Sequence, residues 1–139
     1  ILKTLGSILT ILKAVVAAIG SISLLVGGVG ILTIMSIAVN ERTAEIGLLR
    51  ALGASSGQVT RLFLLEAMVL ASLGGITGTV VGISIAWVLH LAIPAMPVQI
   101  DWVYVILAQI VAIVTGLLAG FVPAQRASTL PPVDALRNY

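Results

Sequence analysis

Residues 15–39 read VVAAIGSISLLVGGVGILTIMSIAV, a run without one charged side chain. Two more runs of the same kind follow. Ala67–Ile100 carries no charge apart from the titratable His90, and Trp102–Gln125 carries none. Each exceeds the roughly 20 apolar residues that a helix needs to cross a hydrocarbon core. In the 139-residue chain as a whole, 60% of residues are apolar, 9% are charged and the mean hydropathy is +1.24. A soluble domain of this size cannot bury that much apolar surface in one core, so lipid is the expected solvent. The predicted fold is an all-α integral membrane protein with three transmembrane helices.

The polar segments divide these runs. Residues 1–14 carry Leu2, Leu5, Leu9 and Leu12 at 3-4-3 spacing, with Lys3, Ser7, Thr10 and Lys13 on the opposite side. That pattern predicts an amphipathic helix, lying in the membrane interface or protruding as a stalk. A spanning helix over 15–39 leads into the polar segment 40–61, and a second span over 62–93 stops at Pro94. A short loop over 94–101 ends at Asp101, a fitting N-cap for the third span over 102–122, which Pro123 is expected to close. The tail, 123–139, contains Pro131 and Pro132 ahead of Asp134, which suits the start of a last short helix. Beginning at Ile1 instead of Met, the chain reads as a piece of something longer, and its first apolar run is too long for a secretory signal.

Basic residues set the expected orientation. With the N-terminus outside, the cytoplasmic side holds Arg42, Arg50, Arg61, Arg126 and Arg137, and the outside holds only Lys3 and Lys13. The positive-inside rule therefore favours N-out and C-in. Trp87, Trp102 and Tyr104 flank the 94–101 loop, where an outer aromatic belt would sit.

Chemistry is sparse. Cysteine is absent, no nucleophile–base pair or metal-ligand cluster is apparent, and no Lys-Ser/Thr follows the first-span glycines to make a phosphate loop. The chain is therefore not expected to be an enzyme or to bind a cofactor. A net charge of +2 confined to loops gives no case for nucleic acid. Glycines are more informative. Gly74, Gly78 and Gly82 share one face of the second span, broadened by Gly75 and Thr79, and Gly116 and Gly120 repeat the pattern on the third. Small residues four apart let backbones approach closely in lipid, either as static packing or as an interface that slides. Glu66 is the one carboxylate well inside a span and is a functional candidate by default, although snorkelling or pairing with Arg61 or Arg50 would also account for it.

The segment 40–61, NERTAEIGLLRALGASSGQVTR, is more specific. Ile46, Leu49 and Leu52 form an apolar stripe on a short helix, with Glu41, Arg42, Glu45 and Arg50 around the rest and Gly53 as a C-terminal cap. Such a helix lies on lipid headgroups or fits a groove on a cytoplasmic partner.

The run ERTAEIGLLRALGASSGQVTRLFLLEAMVLASLGGITGTVVG, followed by FVPAQRASTLPPVDALR, resembles the MacB/FtsX-like ABC permeases. Glu41, Arg42, Thr43, Glu45, Ile46, Gly47, Ala51, Leu52, Gly53 and Ala54 match one motif, and Glu66, Gly74 and Gly75 a second. Pro123, Ala124, Ala127, Ser128, Pro132, Ala135, Leu136 and Arg137 match the closing one. The resemblance implies spans two to four of a permease in the cell membrane. Residues 40–54 would be the coupling helix, seated on a nucleotide-binding ATPase that holds ATP and Mg2+. A second permease copy would complete the assembly. ATP-driven motion would pass to an extracytoplasmic domain, for export or for mechanotransmission. A membrane scaffold that regulates an extracellular enzyme is the alternative within the same family. An ion-coupled carrier would want ionisable groups at mid-depth, and only Glu66 comes near.

Overall fold

The computed structural model describes residues 1–95 and 98–131, and helices are the only regular elements among them. Four helices follow in order: α1 (Leu2–Glu41), α2 (Thr43–Ala51), α3 (Ser56–Ala92) and α4 (Trp102–Thr129). Of these, α1, α3 and α4 are long and apolar enough to cross a membrane. Pro97, and the tail residues where a last short helix is expected, lie outside the described residues.

Helix α1 is continuous over 40 residues. At 1.5 Å per residue it is about 60 Å long, twice the roughly 30 Å of a hydrocarbon core. There is no break near Ala14 at which the amphipathic N-terminal segment could turn to lie flat, so that segment continues the axis of the apolar run.

The remaining boundaries have local causes. Ser55 opens α3 with a capping box: the Gln58 N–H donates to Ser55 Oγ at 3.3 Å, and the Ser55 N–H donates to Gln58 Oε1 at 2.8 Å. The helix therefore starts inside the polar 40–61 segment, several residues before the apolar run begins. It ends at Ala92, just ahead of Pro94. Asp101 caps α4 as expected, its carboxylate accepting from the Val103 N–H at 3.0 Å.

Helix α4 does not stop at Pro123 but runs on to Thr129. Proline in a helix interior forfeits one hydrogen bond and costs about 3 kcal/mol. Here Pro123, Ala124, Ala127 and Ser128 are all buried, the two alanines completely, and that packing holds the last turns in helical form.

Helix α4 is the hub of the bundle. It packs along both α3 and α1, which touch each other little. Toward α3 it presents Gly116 and Gly120, where an added Cβ would overlap the Ala71 and Ala67 methyls. Toward α1 it presents Thr115 and Ala119; a Cβ at Gly28 would lie 3.3 Å from the Thr115 methyl. All the buried residues lie in the half of the bundle nearest α2, around a cluster of Met35, Val39, Ile46, Val59, Phe63, Ala67, Ala124 and Ala127. Among the described residues, the opposite half of the bundle buries none.

Because the Ala67 methyl is rooted on backbone, it cannot rotate away from a new methyl at Gly120. Gly120→Ala is expected to cost about 1–3 kcal/mol, whereas Gly30→Ala, with no neighbour within 4 Å, should be neutral or slightly stabilising. Unfolding in detergent measures both, and equal losses would contradict the packing.

Candidate functional site

The polar residues gather where α1 meets α2. A single residue, Arg42, separates the two helices, with φ −97° and ψ 18°. The helical ladder is interrupted there, and two backbone bonds span the joint: the Arg42 N–H donates to Ala38 O and the Ile46 N–H to Arg42 O, both at 3.0 Å. The Thr43 hydroxyl donates to Val39 O at 3.1 Å and Asn40 O at 2.8 Å, occupying carbonyls at the end of α1. At the far end of α2, Gly53 takes φ +100°. The Gly53 N–H then donates to Arg50 O and the Ala54 N–H to Leu49 O, the paired bonds of a Schellman motif. Both ends of this nine-residue helix are thus fixed.

The structure divides the residues that the sequence groups on α2. Ile46 is buried in the protein's own core and is not available to a partner. Leu48, Leu49 and Leu52 stay exposed, Leu52 at 78%. Residues 46 and 52 lie roughly 120° apart around a helix at 3.6 residues per turn, so one stripe cannot serve both faces. The outward apolar face is therefore Leu48, Leu49 and Leu52, with exposed Glu41 and Glu45 nearby. Arg50 is half-buried and turns inward, its Nη1 donating to Ser128 O at 3.1 Å near the C-terminal end of α4. A cation there also meets the negative end of the helix dipole.

Glu66 pairs with Arg42, Nη1 to Oε2 at 3.4 Å, and not with Arg61 or Arg50. Arg61 lies five residues back, about 140° around α3, and the Arg50 guanidinium is taken by Ser128. The pair is a third to a half exposed and ties the α1–α2 joint to α3.

The glycines also separate. Gly116 and Gly120 form the close approach to α3. Gly74, Gly78 and Gly82 have nothing within 4 Å of where a Cβ would stand, so among the described residues they pack against no other helix. Gly74 and Gly78 instead line an open groove of about 620 Å3 between α1 and α3, floored by Ala108, Ala112 and Thr115 of α4. The glycine that α4 does touch is Gly75, where the Gln109 carboxamide fills the missing side chain's place and donates from Nε2 to Ser72 O at 3.2 Å. Sequence reasoning passed over Gln109, although a lone carboxamide in a charge-free span is the usual signal of an interhelical bond. Among the described residues, no three His, Cys, Asp or Glu come together as a metal site.

This arrangement is a helical membrane segment whose one outward-facing amphipathic helix sits at its charged end, and comparison with known proteins gives it a family. The chain belongs to the FtsX-like permease C-terminal family, whose sequence profile matches residues 17–132. It is 39% identical over 133 residues to the ABC transporter permease YknZ of Bacillus subtilis (strain 168), covering 96% of this chain and 33% of that protein. It is 38% identical over 136 residues to the macrolide export ATP-binding/permease protein MacB of Escherichia coli (strain K12), covering 98% of this chain and 21% of MacB. MacB of Shigella sonnei (strain Ss046) matches to the same extent. The family read from the sequence motifs is thereby borne out, and with it a multi-pass cell-membrane protein. The chain spans about a third or less of these relatives' length.

Arg50→Met is expected to leave the bundle folded while raising amide exchange across Thr43–Ala51, with protection in α3 and α4 unchanged. Hydrogen exchange read by mass spectrometry checks this, and unchanged protection in α2 would show that burial of Ile46 alone holds it. In the same preparation Glu66→Gln should shift stability by less than about 1 kcal/mol, as befits a partly exposed pair.

Proposed function

We propose that this chain is the transmitting part of an ABC-transporter permease. Helix α2 is the coupling helix, docked on a nucleotide-binding ATPase that binds ATP and Mg2+, and α1 is the lever that carries its movement to an extracytoplasmic domain. The observation that carries this reading is the uninterrupted 40-residue α1, joined to α2 through one residue. A displacement of α2 has no flexible linker in which to dissipate before it reaches α1. Leu49 and Leu52 supply the apolar contact with the ATPase, Leu48 extends it, and Glu41 and Glu45 set its register. Arg42 and Arg50 act inward, holding α2 against α3 and α4. In this reading the cytoplasm lies at the α2 end, as the arginines at 42, 50, 61 and 126 favour. A second permease copy belongs to the same assembly, with the unpartnered Gly74, Gly78 and Gly82 face available to it. The names of the relatives, an ABC transporter permease and a macrolide export ATP-binding/permease protein, support the class; the cargo of this protein is left open by them.

Leu49→Asp in the full-length protein places a charge on the exposed face of α2 without touching the core. It is expected to abolish retention of the ATPase in a detergent pull-down or, where the ATPase is fused, to uncouple hydrolysis from output. The unfolding temperature should stay that of wild type. Unchanged coupling would overturn the reading.

A further inference from the structure

At the charged end of the bundle, the seam between α1 and α4 holds a pocket of about 280 Å3. Val39, Pro123 and Leu130 form its apolar floor, and Asn40 and Arg126 stand at its rim with two hydroxyls, Ser36 and Thr129. The hydroxyl protons are already committed, Ser36 to Leu32 O and Thr129 to Arg126 O. The Arg126 guanidinium and the Asn40 carboxamide have no partner among the described residues. Arg42 and Arg50, by contrast, are held by Glu66 and Ser128. What the pocket offers is therefore a set of N–H donors with one positive charge.

Its depth is set by the sequence. Asn40 is the last residue before Glu41 ends the first charge-free run, and Arg126 is the first after the charge-free run 102–125. Both sit where hydrocarbon gives way to headgroups. One turn toward the membrane interior, Ile37 and Val122 are exposed apolar surface. Arg61, the other span arginine without a partner among the described residues, lines a pocket on the opposite seam whose remaining walls are Leu64, Leu65, Met68 and Leu117, with no second donor.

We propose that the α1–α4 pocket binds the phosphate of an anionic phospholipid. Arg126 donates to two phosphate oxygens in the fork geometry that suits guanidinium, and Asn40 supplies a further amide donor. The acyl chains then run over Ile37 and Val122. A headgroup so held bridges the end of α1 to the end of α4. The site is independent of ATPase docking.

The test uses the full-length protein in detergent, equilibrated with defined phosphatidylglycerol–phosphatidylcholine mixtures and read by native mass spectrometry. Wild type is expected to retain phosphatidylglycerol in preference to phosphatidylcholine. Arg126→Gln should lower that retention about fivefold, Asn40→Leu should lower it less, and Arg61→Gln should leave it unchanged. Arg126 is exposed in the last turn of α4, and an unaltered melting temperature confirms that its variant is folded. Arg126→Lys, which keeps the charge, should retain part of the binding. Equal loss in the Arg61 and Arg126 variants would mean a diffuse charge effect and would overturn the proposal. Displacement of the lipid by inorganic phosphate would assign the pocket to a soluble anion and would also overturn it.

Discussion

Gly116 and Gly120 leave vacant the space that a Cβ would fill, and the methyls of Ala71 and Ala67 occupy it. In lipid there is no hydrophobic drive between helices, because hydrocarbon tails are as apolar as leucine; close packing and internal hydrogen bonds must supply the attraction. The glycine–alanine contact brings the α3 and α4 backbones near enough for both. One carboxamide, Gln109 set against Gly75, adds a hydrogen bond to Ser72 O farther along the same seam. Once α3 and α4 are joined, the opposite side of α4 offers Thr115 and Ala119 to Gly28 of α1.

From that arrangement comes the asymmetry of the molecule. Around α2, four helices meet over Met35, Phe63, Ala124 and their neighbours, and Pro123 is forced into a helix that its chemistry disfavours. Away from α2, α1 leaves its neighbours and its upper half stands exposed. The lower end is held by packing, by Arg42 on Glu66 and by Arg50 on Ser128, while the upper half of α1 is exposed, an asymmetry that suits the lever proposed above.

The spans, the Asp101 cap and the Gly53 terminus were legible because each rests on a local rule: an unbroken apolar run, a short acceptor side chain, a residue that tolerates positive φ. Family membership was legible because three motifs occur in order. The continuation of α4 past Pro123 was not, since it depends on burial against α1 and α3 that no local pattern records. The Gly53 end of α2 could be read from the chain, but which of its leucine and isoleucine faces points inward is set by the tertiary core, and this removed Ile46 from the docking face. The Glu66 partner was misassigned for the same reason: the bend at Arg42 brings a residue 24 positions away closer than Arg61 on the same helix. Gly74, Gly78 and Gly82 form a packing motif by spacing, yet the neighbouring span meets α3 at Gly75, Ala71 and Ala67 instead.

The central claim is that α1 carries movement from α2 to the far side of the membrane as one stiff element. It is tested most directly by a spin label on Leu5→Cys in the full-length protein, compared with and without a Gly-Gly insertion between Ala14 and Val15. This segment contains no native cysteine. The account predicts that ATP changes the label's spectrum in the uninterrupted helix and that the insertion abolishes the response while ATP hydrolysis continues. A response that survives the insertion, or none in its absence, would contradict it.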